Sequence, residues 1–198
     1  MTTATLARLG NEVYELQRPE IGELREAASP GVVGSITMPH KRNPERSEHL
    51  DTLARLVRAN AAVLLEGMVG GSERDGRSWK AEWVALPEVC LLTATATALA
   101  VDLVQGLEVD RLAMQRNLGD WTGSEQALAL LTPQLGKHAA QAALHDALRD
   151  GRAAGRTLGE SLRGLLPQAE QLRPDAGLSG EMVDVVVARA RSAQDRRP

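Results

Sequence analysis

Aromatic residues are almost missing from this sequence. Its 198 residues include no phenylalanine, and three tryptophans and one tyrosine make up the 2% aromatic content. Hydrophobic residues still account for 43% of the chain, so the core must be built from alanine, leucine and valine. Such a composition suits close packing between helices better than a sheet. It predicts an all-α protein.

Cysteine and net charge are also scarce. Cys90 is the single cysteine and lies in an apolar run, which predicts a small buried side chain in a reducing compartment. A net charge of -3 gives no basis for nucleic-acid binding. The N-terminus lacks a basic region followed by an apolar core, and no uninterrupted apolar run approaches membrane length. We therefore expect a soluble cytoplasmic protein, with neither nucleic acid nor a membrane as its partner.

Apolar residues recur at helical spacing through most of the chain. The pattern predicts a helix from Thr3 to Gln17 and a second helix that Asn43 caps, with Pro44 at its first position. The stretch from Leu86 to Leu107 is apolar nearly all round, which is typical of a helix at the centre of a bundle. Such a helix needs neighbours on several sides, so we expect the chain to oligomerise.

Shorter helices separated by turn residues are predicted for the rest of the chain. They span residues 111–117, 124–131, 136–152, 157–165 and 179–193. The change from long to short helices places a domain boundary between residues 108 and 109. The sequence thus predicts a long-helix bundle over residues 1–108 and a small α-helical domain over residues 109–198.

One segment carries most of the chemical information. Residues 34–44, the signature segment, read Gly34-Ser35-Ile36-Thr37-Met38-Pro39-His40-Lys41-Arg42-Asn43-Pro44. Its glycine and two prolines disfavour a helix and predict a loop. Lys41 and Asn43 are donors that suit a carboxylate, and Ser35 suits a nucleophile or, without its proton, a base. The pattern fits chemistry on a small di- or tricarboxylic acid, and a polar surface turn is the plain alternative.

The signature segment resembles the loop G-S-S-x-M-P-x-K-x-N-P of the fumarase/aspartase superfamily. Seven of the eight specified positions match without a gap, and Ile36 stands where the family has its second serine. The stretch Leu16 to Glu23 resembles the sequence that precedes this loop in the adenylosuccinate lyase and carboxymuconate cycloisomerase branch. The resemblance implies an all-α fold, a helical bundle followed by a small helical domain, and a reaction without cofactor or metal.

The resemblance also implies a role for individual residues. Ser35 falls on the first serine of the loop, which is taken to remove the proton beta to the leaving group. Lys41 and Asn43 fall on positions that bind the substrate carboxylate and the enolate-like form it becomes. Thr37 and Met38 lie between Ser35 and Lys41 and are also assigned to substrate binding.

Three further residues are expected to support the site. Gly34 opens the loop, and Glu48 matches an acidic residue that orients the lysine. The alternative is that Glu48 is simply a solvent-exposed helix residue. Arg77 lies in a later stretch that adds positive charge for a polycarboxylate. Because Ile36 stands where the family loop has its second serine, this chain lacks any contribution of that hydroxyl.

The branch within the superfamily is indicated by the stretch Glu73 to Glu88. Adenylosuccinate lyases carry a Ser-Ser-Val-Glu-Arg element there, which helps to hold the nucleotide, whereas this chain has Trp79, Lys80 and Trp83. The pattern Trp-x-Ala-Glu-Trp-x-x-Leu-Pro-Glu resembles 3-carboxy-cis,cis-muconate cycloisomerases instead. The alternative is that both indoles simply pack against a neighbouring helix.

Family members also carry an N-terminal part that supplies a histidine for the leaving group, and each of their active sites is built from three subunits of a homotetramer. The chain is expected to correspond to the C-terminal half and to be inactive alone. The leading hypothesis is a cycloisomerase that forms a carbanion on a small polycarboxylate. The alternatives are a fumarate-releasing beta-elimination lyase, acting on adenylosuccinate or another substituted succinate, and a non-catalytic helical fragment.

Overall fold

The computed structural model describes residues 1–28, 37–38, 41–119, 121–172 and 176–195. Within these ranges the chain forms eight α-helices, one short 3-10 helix and one pair of two-residue strands. The predicted all-α class is therefore confirmed. Its contacts divide the chain into two compact units, residues 1–117 and 118–198.

Three long helices build the first unit: α1 (Thr2–Leu16), α2 (Glu45–Glu66) and α3 (Gly76–Gln105). The core where they meet consists of Val13, Leu50, Ala96, Ala100 and Leu103. Burying each of the leucines contributes about 1.5–3 kcal/mol. The alanines on α3 carry little side chain, so the helix backbones approach one another closely, as the composition predicts.

The helix α3 is longer than predicted and less covered. It begins at Gly76 because Asp75 caps it, accepting a hydrogen bond from the backbone N–H of Arg77 at 3.0 Å, and it continues through Pro87. Its buried residues are the small ones together with Leu103, whereas Leu91 is 64% exposed. Several of its larger apolar side chains, among them Leu91 and Val104, therefore stay exposed, although Leu103 is buried in the core.

The exposure of α3 changes one prediction and bears on another. Cys90 is exposed, so the prediction of a buried cysteine is wrong. The reason is that α1 and α2 leave its side of α3 uncovered. By length and composition alone, α3 is the one helix among the described residues that could cross a membrane, although Glu88 and Asp102 interrupt its apolar run. The expectation of no membrane partner stays a prediction.

A small antiparallel strand pair closes the first unit. The strand β1 (Leu24–Arg25) pairs with β2 (Glu108–Val109), with Leu24 opposite Val109. The next helix, α4 (Arg111–Asn117), is held to the same region because the Asn117 side chain donates to the carbonyl oxygen of Ile21 at 2.8 Å. The contacts therefore place the division between the two units nine residues after the predicted boundary at 108/109, because β2 and α4 associate with β1.

The second unit has a core of leucine and alanine. Its elements are α5 (Ser124–Leu135), α6 (Lys137–Ala153), α7 (Leu158–Leu162), a 3-10 helix (Ala169–Gln171) and α8 (Ser179–Gln194). The core residues include Leu131, Leu144, Leu162 and Leu166. Thr157 caps α7 in a reciprocal arrangement with Glu160, which ties the start of that helix. The helices predicted from spacing all occur, although α5 continues through Pro133 and α7 ends at Leu162.

Candidate anion-binding site

The signature segment leads directly into α2. The structure describes Thr37, Met38 and residues 41–44 of it, whereas Gly34 and Ser35 lie outside the described residues. The predicted roles of those two residues therefore stay predictions. What can be built from the described residues is the part of the site assigned to substrate binding.

Lys41 is an exposed cation at the approach to α2. Its backbone N–H donates to the carbonyl oxygen of Met38 at 2.9 Å. Its side chain forms no hydrogen bond or ion pair with another described residue. Thr37 and Met38 are also exposed, and Asn43 is half-buried beside the helix start. The arrangement presents an ammonium group where a small carboxylate can reach it.

The start of α2 differs from the prediction by one residue. The helix begins at Glu45 and Pro44 is its N-cap residue, so the prediction that Asn43 caps it with Pro44 at the first position is wrong. The backbone N–H groups of Arg46 and Ser47, in the first turn of α2, donate to the carboxylate of Glu26, at 3.1 and 2.9 Å. A carboxylate near a helix N-terminus is favoured both by these donors and by the helix dipole.

Glu26 is the site residue that sequence reasoning missed. Its exposed fraction is 5%, and besides the two backbone donors it accepts a 2.6 Å hydrogen bond from the hydroxyl of Ser47. The guanidinium of Arg46 lies 3.8 Å from the same carboxylate. Burying a carboxylate is costly unless it is paired in this way. The available signal was an acidic residue just before the loop, but nothing local to it indicates a partner twenty residues later.

Glu48 lies in the first turns of α2 and is exposed. Its backbone N–H donates to the carbonyl oxygen of Pro44 at 3.0 Å, within the helix. Lys41 lies just before α2 and Glu48 lies on it, and the two described side chains form no ion pair with each other. Its role in orienting the lysine stays a prediction.

Arg77 is held at the start of α3. Its guanidinium forms two bonds to the carboxylate of Asp75, at 3.0 and 2.6 Å, while most of the arginine side chain remains exposed. These hydrogen bonds hold the pKa of Asp75 well below its usual range and raise the pKa of Arg77. The contact explains why α3 begins here, and Arg77's predicted part in a polycarboxylate site stays a prediction.

The two tryptophans that indicated the branch also lie on α3. The ring centroids of Trp79 and Trp83 are 6.0 Å apart, with their planes at 44°. They remain 46% and 64% exposed, so they pack on one another and offer indole surface to a further partner.

The described half of the site is thus suited to holding an anion. Glu26 already occupies two of the N–H groups at the start of α2, which leaves Lys41 as the exposed charged donor among the described residues that were assigned to substrate binding. A charged donor forms stronger hydrogen bonds to an anion than a neutral one does. The fold and this segment define a helical-bundle protein in which an exposed cation precedes one long helix.

Comparisons with known proteins agree with this class. No family model matches the chain. Curated relatives include N-acetyl-S-(2-succino)cysteine lyase from Enterococcus italicus, 41% identical over 143 residues (71% of this chain and 31% of the relative). A nitrosuccinate lyase from Streptomyces davaonensis is 41% identical over 163 residues (80% and 34%). The 3-carboxy-cis,cis-muconate cycloisomerase of Pseudomonas aeruginosa is 36% identical over 187 residues (93% and 39%).

The solved structures give the same result. The 3-carboxy-cis,cis-muconate lactonizing enzyme from Pseudomonas putida matches 86% of this chain and 38% of its own length, at 33% identity and a TM-score of 0.72. The chain belongs to the fumarase/aspartase superfamily. It spans about a third of the length of the curated relatives it matches.

Proposed function

We propose that this chain supplies the proton-abstracting and anion-binding part of a lyase or cycloisomerase that acts on a small polycarboxylate. The observation that carries the proposal is the signature segment, which matches the family loop at seven of eight positions and places the cation Lys41 in solvent beside α2. The relatives named above support the same class of reaction. The single exposed cysteine suits a reducing, cytoplasmic setting.

In the proposed reaction, the Ser35 oxygen removes a proton from the carbon next to a substrate carboxylate. The electron pair left behind spreads onto that carboxylate and forms a dianion. Lys41 and Asn43 bind it, and because they meet more negative charge in the transition state than in the ground state, they accelerate the step. A serine ionises with difficulty at neutral pH, so the same cation also has to stabilise its oxyanion.

The leading substrate class is a carboxymuconate and its lactone. In that reaction a carboxylate oxygen and a proton add across a carbon-carbon double bond within one molecule. In the reverse direction the proton is removed, the C–O bond breaks and the double bond forms, with the carboxylate as leaving group. Two features support this choice: Trp79 and Trp83 stand where a nucleotide-binding serine and arginine would be needed, and the match to the cycloisomerase extends over 93% of this chain. The alternative is elimination from a substituted succinate. The higher identity to the two succinate-related lyases, 41%, favours it.

A substrate panel separates these two candidates. The chain, co-expressed with the matching N-terminal portion of the family enzyme, is incubated with carboxymuconolactone, adenylosuccinate and S-succinocysteine derivatives, and product formation is followed by absorbance. We expect turnover of the lactone, because the indoles replace the nucleotide clamp. Turnover of a succinate derivative alone would reject the cycloisomerase assignment, and no turnover of any substrate would favour a non-catalytic helical module.

A homotetramer with shared active sites is part of the proposal. Large apolar side chains stay exposed on the two longest helices, among them Leu65 on α2 and Leu91 and Val104 on α3. Light scattering on the 198-residue chain is therefore expected to show an oligomer, in which these helices pack against copies of themselves. A well-folded monomer that binds no hydrophobic dye would contradict this expectation.

A further inference from the structure

We propose that Glu26 is a positioning residue that fixes the first turn of α2 and thereby the direction in which Lys41 and Asn43 approach a bound carboxylate. The consequence for catalysis rests on the proposed function. The anchoring itself does not.

Glu26 joins chain segments on both sides of the signature segment. Its carboxylate accepts from the backbone of Arg46 and Ser47 and from the Ser47 hydroxyl. The Arg46 guanidinium also donates to the carbonyl oxygen of Ala27 at 3.0 Å, so the same two segments are joined a second time. These contacts bring residues 26–27 and 46–47 together and hold the start of α2 at two points.

The anchor extends to α1. The backbone N–H of Glu26 donates to the side-chain oxygen of Gln17, the C-cap residue of α1, at 2.7 Å. Glu26 therefore stands between the end of one long helix and the start of another. Gly10 shows how closely these helices pack, because a Cβ there would lie 2.9 Å from the carbonyl oxygen of Ser47. The first turn of α2 is thus held by a hydrogen-bonded charge on one side and by α1 on the other.

Burial is what gives the anchor its strength. Glu26 is nearly inaccessible to water, so its hydrogen bonds meet little competition from solvent. Lys41 lies five residues before Arg46 and has no side-chain bond to another described residue that could fix it. The position of the Lys41 side chain therefore depends on the backbone that leads into α2, and Glu26 fixes the first turn of α2 through its hydrogen bonds to Arg46 and Ser47.

The anchoring is tested on the 198-residue chain by amide hydrogen exchange. In Glu26→Gln the amides of Arg46 and Ser47 are expected to exchange roughly tenfold faster, because a buried charged acceptor is lost, while amides in the middle of α2 keep their rates. Glu45→Gln is the matched control, since it removes an exposed carboxylate from the same turn and should change neither rate. Should Glu26→Gln fail to fold, Ser47→Ala removes only the hydroxyl bond and is expected to speed exchange by roughly threefold. Unchanged exchange in the folded variants would overturn the anchoring.

The consequence for Lys41 is tested by a double-mutant cycle in the enzyme completed with its N-terminal portion. Glu26→Gln is expected to lower kcat/KM roughly tenfold in the wild-type background and by a clearly smaller factor in Lys41→Met, where only Asn43 is left to position. A loss by the same factor in both backgrounds would show that Glu26 does not act through Lys41 and would overturn the positioning role. If the wild-type protein turns over no substrate, the proposed function fails, and the exchange experiment still decides the anchoring.

Discussion

Replacing Ser35 with alanine is expected to lower the turnover of the completed enzyme by roughly a hundred- to ten-thousand-fold, the usual contribution of a general base. The methyl group cannot accept the substrate proton, and the carbanion forms only after that proton has left. Steady-state kinetics give the loss in kcat, and light scattering tests whether assembly is unchanged. We expect KM to change little, because the carboxylate contacts of Lys41 and Asn43 remain.

Ile36→Ser provides the matched variant for this experiment. It restores the second hydroxyl of the family loop next to Ser35 and removes nothing from the proposed mechanism, so activity is expected to persist. If Ser35→Ala retains full activity, the base assignment is wrong. If Ser35→Ala loses activity and the added Ile36→Ser restores it, a hydroxyl at position 36 can take over the role of the Ser35 hydroxyl.

The helices could be predicted because their determinants are local. The three- and four-residue spacing of apolar side chains placed α1 within one residue at each end, and turn residues separated the shorter helices of the second unit. The spacing of apolar residues predicts the start of a helix less well where that start depends on a capping residue or where the helix contains a proline. The helix α3 begins ten residues before the predicted apolar stretch, because Asp75 caps it and Pro87 is accommodated within it.

The residues of the candidate site likewise differ in whether local sequence could indicate them. Lys41 and Asn43 could be proposed from the sequence because they lie within one short loop motif. The structure shows Lys41 exposed at the approach to α2, and the binding roles of both residues stay predictions. Glu26 could not be found, because its partners Arg46 and Ser47 lie about twenty residues away and are joined to it only by folding. The exposure of Cys90 also depends on which helices cover α3, and no local pattern reports that.

Replacing Lys41 with methionine is the sharpest test of the anion site. The substitution keeps most of the length of the side chain and removes the charge that would meet the substrate carboxylate. Losing a charged partner in the transition state typically costs about 2–4 kcal/mol, so kcat/KM is expected to fall roughly thirty- to a thousand-fold. Both kcat and KM should change, because in the proposed mechanism Lys41 contacts the carboxylate before and during proton removal.

Arg42→Met is the matched control for Lys41→Met. Arg42 is the neighbouring exposed cation, but its guanidinium lies 3.9 Å from the carboxylate of Glu108. A general loss of positive charge would lower activity equally in both variants, whereas a specific clamp predicts a large loss only for Lys41→Met. A fully active Lys41→Met protein would remove the cation from the mechanism. It would also remove the main chemical reason to place the active site at the signature segment.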